Sequence, residues 1–327
     1  MLVSGGAGFI GSHLVERLLA RGDRVTVVDN LSTGRRANLP ARHEGLRFLN
    51  AELARELDVF EPDEMFDEVY HLAAAVGVKL VIDDPIGSIE TNVAQTSALL
   101  RFVRERCPAA RVLIASSSEV YGKSERVPFR EDDDVVYGPT TKSRWSYAAS
   151  KAIDEYLALA HAQTHGMAVV VARFFNTVGP RQVGEYGMVL PRFVGAALAN
   201  QPLHVHGDGE QTRCFCDVRD VADLLPRVLA TPAAYGRVFN VGSDESITIA
   251  ALARLVIETL QSGSRVQFIP YDRAYEHGFE DLRRREPDLA RLRSVVGFTP
   301  TRALRTTIRD LAAQMQGLTA AVTEGAL

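Results

Sequence analysis

The chain has 327 residues, 46% hydrophobic and 24% charged, with a net charge of -4. That composition suits a soluble globular protein with a sizeable core, and its slight acidity argues against a broadly nucleic-acid-binding surface. Three cysteines, Cys107, Cys214 and Cys216, form no CxxC pair and no zinc-spaced cluster. Reduced thiols of a cytoplasmic protein are expected, with no metal. No basic stretch followed by an apolar one opens the chain, and no run of about eighteen apolar residues occurs. Neither a secretory signal nor a membrane span is expected.

Met1 to Val3 reads as a short apolar strand. It runs through Ser4-Gly5-Gly6-Ala7-Gly8-Phe9-Ile10-Gly11 into an amphipathic helix, Ser12 to Arg21. Strand, glycine turn and helix in this order suit a dinucleotide pyrophosphate. Glycines let the backbone approach it closely, and the helix N-terminus offers free N–H groups. A second strand, Arg24 to Val28, ends in Asp29-Asn30. An acidic residue about twenty residues past the glycines accepts from ribose hydroxyls and repels a 2′-phosphate, so NAD is favoured over NADP.

Further strands are expected at Leu46–Leu49, Glu68–Leu72, Arg111–Ser116 and Ala168–Phe175, with helices at Ile86–Arg106 and Ala148–Ala162. Short buried strands alternating with helices indicate an α/β fold with a Rossmann-type doubly wound parallel sheet, whose ligands lie at the strand carboxyl ends. After Asn176 the alternation loosens. Helices are expected at Pro191–Ala199 and Asp220–Ala230, and Val238–Val241 reads as a strand returning to the sheet. Residues 247–315 read as helical with one strand near Val266–Ile269. The second, smaller α/β substrate domain is therefore expected to be interleaved with the first. Residues 1–176 plus about 217–242 form the NAD-binding domain; 177–216 plus about 243–327 form the other.

Tyr147-Ala-Ala-Ser-Lys151 opens its helix with Tyr147 and Lys151 one turn apart on one face. An ammonium beside a phenol favours the phenolate, giving a base for a sugar hydroxyl near neutral pH. Ser116-Ser117-Ser118-Glu119 leaves the preceding strand, placing hydroxyls and a carboxylate at the same sheet edge. Arg283-Arg284-Arg285 reads as a solvated basic face, with one of the three able to reach an anionic substrate.

Taken together, these motifs resemble the extended short-chain dehydrogenase/reductase family of nucleotide-sugar epimerases, dehydratases and decarboxylases. Gly5-x-x-Gly8-x-x-Gly11, Asp29-Asn30, His71-Leu72-Ala73-Ala74, Tyr147-x-x-x-Lys151, Arg173-Phe174-Phe175-Asn176, Gly179-Pro180-Arg181 and Gly207-Asp208-Gly209 all match. Ser118-Glu119-Val120-Tyr121-Gly122, Arg213-Cys214-Phe215 and Gly278 to Asp281 with Arg285 are similar to UDP-glucuronate decarboxylases of the UDP-xylose-forming and 4-keto-pentose-forming types.

The resemblance implies oxidation at sugar C4, loss of CO2 from the resulting β-keto acid and optional re-reduction. Its alternatives are a UDP-sugar 4-epimerase, a 4,6-dehydratase and a non-catalytic NAD-binding regulator. It also implies a homodimer through a four-helix bundle. The catalytic set it implies is Tyr147, Lys151, Ser117, Ser118, Glu119 and Arg285, with Arg285 and Glu119 at the sugar carboxylate. For NAD it implies Gly5, Gly8, Phe9, Ile10, Gly11, Asp29, Asn30, Ser32, Thr33, Gly34, Glu52, Leu53, Leu72, Ala73, Ala74, Asn92 and Ser116, with Tyr147 and Lys151. For the UDP-sugar it implies Asn176, Arg192, Gln211, Arg213 and Arg285. Three positions depart from the pattern: Glu52 replaces an aspartate, His204 a lysine and Phe279 a hydroxyl-bearing aromatic residue.

Overall fold

The computed structural model describes residues 1–58, 60–74, 84–184, 188–270 and 282–323. Gly278, Phe279 and Asp281 lie outside them. Strands β1 (Leu2–Ser4), β2 (Val25–Val28), β3 (Leu46–Leu49), β4 (Glu68–His71), β5 (Arg111–Ser117) and β6 (Ala168–Phe174) fall where expected. In β1, β2 and β4 every residue is buried, as strands covered on both faces require.

Helix α1 (Phe9–Ala20) follows the glycine turn, and α2 (Leu53–Glu56) follows β3. Helix α3 (Pro85–Arg106) starts with a proline, and the Asp84 carboxylate accepts from the Gly87 amide at 2.9 Å. Helix α4 (Ser146–His165), rich in Ala and Leu, ends where Gly166 adopts a left-handed conformation, φ 67°.

The remaining elements build the second lobe and close the sheet. They are β7 (Thr177–Val178), α5 (Val189–Leu198), β8 (Leu203–His206), β9 (Thr212–Cys214), β10 (Cys216–Asp217), α6 (Val218–Leu229) and β11 (Arg237–Val241). Then come β12 (Ser246–Thr248), α7 (Ile249–Leu260), β13 (Val266–Ile269), β14 (Arg284–Arg285), α8 (Ala290–Val296) and α9 (Leu304–Thr323).

The main sheet has the order β11-β6-β5-β4-β1-β2-β3, and every neighbouring pair is parallel. Chain direction across the sheet reverses between β1 and β4, and a ligand crevice opens at that switch. On one face α1 and α6 bury Leu14, Leu18, Leu224 and Val228 with Phe239. On the other, Leu99, Val103 and Ala158 of α3 and α4 meet Val69, Val112 and Val169. A third cluster, with Leu190, Phe193, Leu252, Val256, Ile308 and Leu311, holds α5, α7 and α9 together.

The C-terminal region departs from expectation in two ways. Arg284–Arg285 forms a strand parallel to Thr212–Arg213, with Ser246–Thr248 antiparallel on the other side. Leu289, Leu292 and Phe298 pack into the α1–α6 face of the main sheet. A two-residue strand made entirely of arginine has no local hydrophobic period, so only its distant partner defines it.

Candidate active site

One cleft of about 1110 Å³ runs along the carboxyl edge of the sheet and under the second lobe. Its floor is the glycine turn. Gly5 has φ 72°, and a Cβ there would lie 2.6 Å from the Ala73 amide nitrogen. A Cβ on Gly11 would lie 2.1 Å from the Gly5 carbonyl oxygen. No larger residue fits either position, so bare backbone and the start of α1 face the cleft together, as a pyrophosphate needs.

Asp29 ends β2 at the cleft wall. Its Oδ2 accepts from the Ala7 amide at 2.9 Å and its Oδ1 from the Leu31 amide at 2.8 Å. This fixes the carboxylate across the turn, where it lines the cleft beside Asn30, Ser32 and Thr33. Glu52, Leu53, Leu72, Ala73, Ala74, Ser116, Gly8, Phe9 and Ile10 line it as well. The donor and acceptor set therefore fits a dinucleotide with free ribose hydroxyls.

Two expected cofactor residues are placed otherwise. Gly34 does not line the cleft; it lies behind Asp29, where a Cβ would come 3.0 Å from both carboxylate oxygens. Asn92 also stays out of the lining. It is buried on α3, and its Nδ2 donates to Ser150 Oγ at 3.1 Å, bracing the helix that carries Tyr147. Both residues support the lining one layer back, a distinction that motif matching does not make.

Tyr147 and Lys151 reach the cleft from the first turns of α4, and Ser117, Ser118 and Glu119 reach it from the end of β5. The Ser117 hydroxyl bonds to the Tyr147 phenol and favours its ionised form. Burial and the nearby Glu119 carboxylate act more strongly in the other direction, and the phenol is held above the ordinary tyrosine range. This differs from the expectation that Lys151 lowers it. Lys151 Nζ lies 2.7 Å from Asp154 Oδ2, in an ion pair whose side chains are 2% and 0% exposed, so its charge is shared with a carboxylate.

Across the cleft, Arg285 NH1 donates to Glu119 Oε1 at 2.6 Å. The two side chains are 10% and 14% exposed. Arg285 pairs in register with Arg213 across β14 and β9, so two buried guanidinium groups enter the site side by side. Arg192, Gln211 and Asn176 join them in the lining. The Gln211 amide donates to the His206 carbonyl at 3.0 Å, and Asn176 donates to the Cys214 carbonyl at 3.1 Å. His204 and His206 add imidazoles, and burial, then Arg192, holds His206 below the usual histidine range. This end of the cleft can hold a diphosphate and a carboxylated sugar.

Arg173 of the expected motif does not face the cleft. It is buried against Glu155, with Nε to Oε1 at 2.9 Å and NH2 to Oε2 at 2.7 Å, and Glu155 also accepts from Ser116 Oγ. Arg181 of the Gly179-Pro180-Arg181 motif lines the cleft too. So do Arg35, Asn38 and Gln95, which no motif spacing marks. Among the described residues no metal-holding group of His, Cys, Asp or Glu occurs, and no helix is long and apolar enough to cross a membrane.

The NAD dependent epimerase/dehydratase family model matches residues 1–242. A UDP-N-acetyl-alpha-D-glucosaminuronate decarboxylase of Bacillus cytotoxicus is 39% identical over 300 residues, which span 91% of this chain and 92% of that one. UDP-glucuronic acid decarboxylase 4 of Arabidopsis thaliana is 35% identical over 316 residues, 93% of this chain and 66% of that one. A solved structure, the UDP-glucose 4-epimerase of Thermus thermophilus in complex with NAD, is 32% identical. It superposes with a TM-score of 0.80 over 97% of this chain and 98% of that one.

Proposed function

Because the chain belongs to the NAD dependent epimerase/dehydratase family, we propose that it decarboxylates a UDP-linked hexuronic acid, with UDP-glucuronate as substrate. The observation that carries this reading is the buried Arg285–Glu119 pair, 2.6 Å apart, in the same cleft as Tyr147 and Ser117. A sugar whose C4 hydroxyl faces Tyr147 places its C5 substituent within reach of that pair, and a guanidinium suits a carboxylate there. The decarboxylase names of the Bacillus and Arabidopsis relatives support the same reaction.

NAD, when bound over the glycine turn, supplies the hydride acceptor for sugar C4. Tyr147 takes the C4 hydroxyl proton, and Lys151 lies one turn away on the same helix. Oxidation leaves a ketone β to the C5 carboxylate, so CO2 can depart with its bonding electrons delocalised into an enolate. The hydroxyls of Ser117, Ser118 and Tyr147, which line the same cleft, would donate to that oxyanion. Arg285 holds the carboxylate until it leaves, and Glu119 orients Arg285. A proton added at C5 turns the enolate back into the 4-ketone; return of the hydride to C4 then gives UDP-xylose, and release before it gives the UDP-4-keto-pentose.

A second substrate is favoured by one observation. The Bacillus cytotoxicus relative acts, by its name, on a sugar bearing a 2-acetamido group. Incubation of the protein with NAD and either UDP-glucuronate or UDP-N-acetylglucosaminuronate, followed by mass spectrometry, decides between them. The expected product has lost the mass of CO2, and its remaining mass separates pentose from ketone. An unchanged mass with inverted C4 configuration removes the decarboxylase reading in favour of an epimerase.

The division into an NAD-binding and a UDP-sugar-binding unit is part of this proposal, and so is a homodimer. The exposed apolar residues Ile86 and Ile89 lie on α3, and Ile153 and Tyr156 lie on the adjacent α4. Two such helix pairs from two copies would form a four-helix bundle. Ile153→Glu with Tyr156→Glu should halve the mass measured by light scattering; an unchanged mass removes this interface.

A further inference from the structure

The buried carboxylate of Asp154 has no part in the reaction as described above. It lies on α4, three residues beyond Lys151, and is fully buried. Its Oδ2 accepts from Lys151 Nζ at 2.7 Å. Burial raises its pKa while Lys151 and the Thr96 hydroxyl pull it down. A lone buried carboxylate is unstable in charged form. This one is kept beside the Lys151 ammonium, and both side chains are buried.

We propose that Asp154 is a positioning residue for the Tyr147–Lys151 pair: it anchors the Lys151 ammonium and tempers the positive charge that reaches the Tyr147 oxygen. The geometry explains both parts. On an α-helix, residues three apart share a face, so Asp154 draws the lysine along the axis, away from Tyr147. Asp154 itself lies seven residues from Tyr147, roughly 10 Å along the axis. Its charge acts on the phenol through a low-dielectric interior with little screening, and it holds the phenol's proton more firmly.

The surrounding ionisable groups leave Asp154 as the adjustable one. On α4, Glu155 is committed to Arg173 of β6. From β4, His71 faces Lys151 across Thr96 of α3. Its Nδ1 pairs with Ser4 Oγ at 2.7 Å and its Nε2 with Thr96 Oγ1 at 3.1 Å. Burial, then Lys151, pushes His71 down to about 3, well below the usual histidine range. Glu119, beyond β5, faces Tyr147 from the other side and is paired with Arg285 of β14.

This inference rests on Tyr147 as the acid–base group, and its test does not depend on the sugar. In protein loaded with NAD, phenolate formation at Tyr147 is followed by ultraviolet difference absorbance against Tyr147→Phe. Asp154→Asn should move the midpoint down by about one pH unit. With a substrate that turns over, the acid limb of kcat/KM should move down by the same amount. Lower activity or melting temperature with an unmoved midpoint would mean that Asp154 is structural only, and would overturn the proposal. A rise would show that Asp154 serves to keep Lys151 charged, and would overturn it as well. Should Asp154→Asn fail to fold, Asp154→Ala removes the same charge with a smaller side chain and carries the same expectation. Absence of decarboxylation in the wild type leaves the phenolate titration readable, so the two readings fail separately.

Discussion

Tyr147→Phe should lower kcat by roughly 10²–10⁴-fold while NAD affinity and melting temperature stay close to those of the wild type. The ring remains, so the packing of the first turn of α4 is kept. The phenolic oxygen is lost, and with it the group that is bonded to Ser117 and placed to take the C4 proton. The wild type should gain activity as pH rises. A phenol held above its ordinary range by burial and by Glu119 is mostly protonated at neutral pH, and only the ionised form accepts a proton. The sign is unambiguous: raising pH populates the base. The residual activity of Tyr147→Phe should lack this limb. Steady-state rates across pH, paired with an NAD titration, check both statements. Retention of full turnover in Tyr147→Phe would assign the proton transfer to another group, and a wild type that binds NAD but turns over no nucleotide sugar would point to a non-catalytic NAD-binding role.

The sheet and the glycine turn were legible because each rests on a local rule. Val25–Val28 is a run of β-branched residues between Arg24 and Asp29, and it can only be a buried strand. Gly5 and Gly11 mark the places where a Cβ would strike backbone. The pairing of Arg285 with Glu119, 166 residues apart in sequence, was reached only through resemblance, since no spacing rule links them. Asn92 shows the opposite failure. Its motif position is right, but the residue stays out of the cleft lining and its amide donates to Ser150. Asp154 could have been placed on the Lys151 face by counting. Its importance could not, because an Asp three residues after a Lys is ordinary on an exposed helix and consequential only when both are buried.

Arg285→Met separates recognition of the carboxylate from the integrity of the site. Removing the guanidinium leaves Glu119 buried without its 2.6 Å partner, which costs about 3–5 kcal/mol for a fully buried pair and less for one still partly wetted. The single variant should therefore melt earlier than the wild type. Adding Glu119→Gln removes the stranded charge and should recover most of that loss. Turnover should not return. The substrate carboxylate would lose a charge-assisted contact worth about 2–4 kcal/mol, a decrease of roughly 30- to 1000-fold in kcat/KM. UDP-glucose, which has no carboxylate, provides the control. Its inhibition constant should hardly change between the wild type and the double variant, while UDP-glucuronate loses both affinity and turnover. If the variants weaken the two nucleotides equally, Arg285 serves the diphosphate beside Arg213, and the carboxylate needs another partner. If UDP-glucuronate still reacts at the wild-type rate, the pairing with Glu119 is a structural lock between β14 and the end of β5, and the decarboxylase assignment loses the contact that carries it.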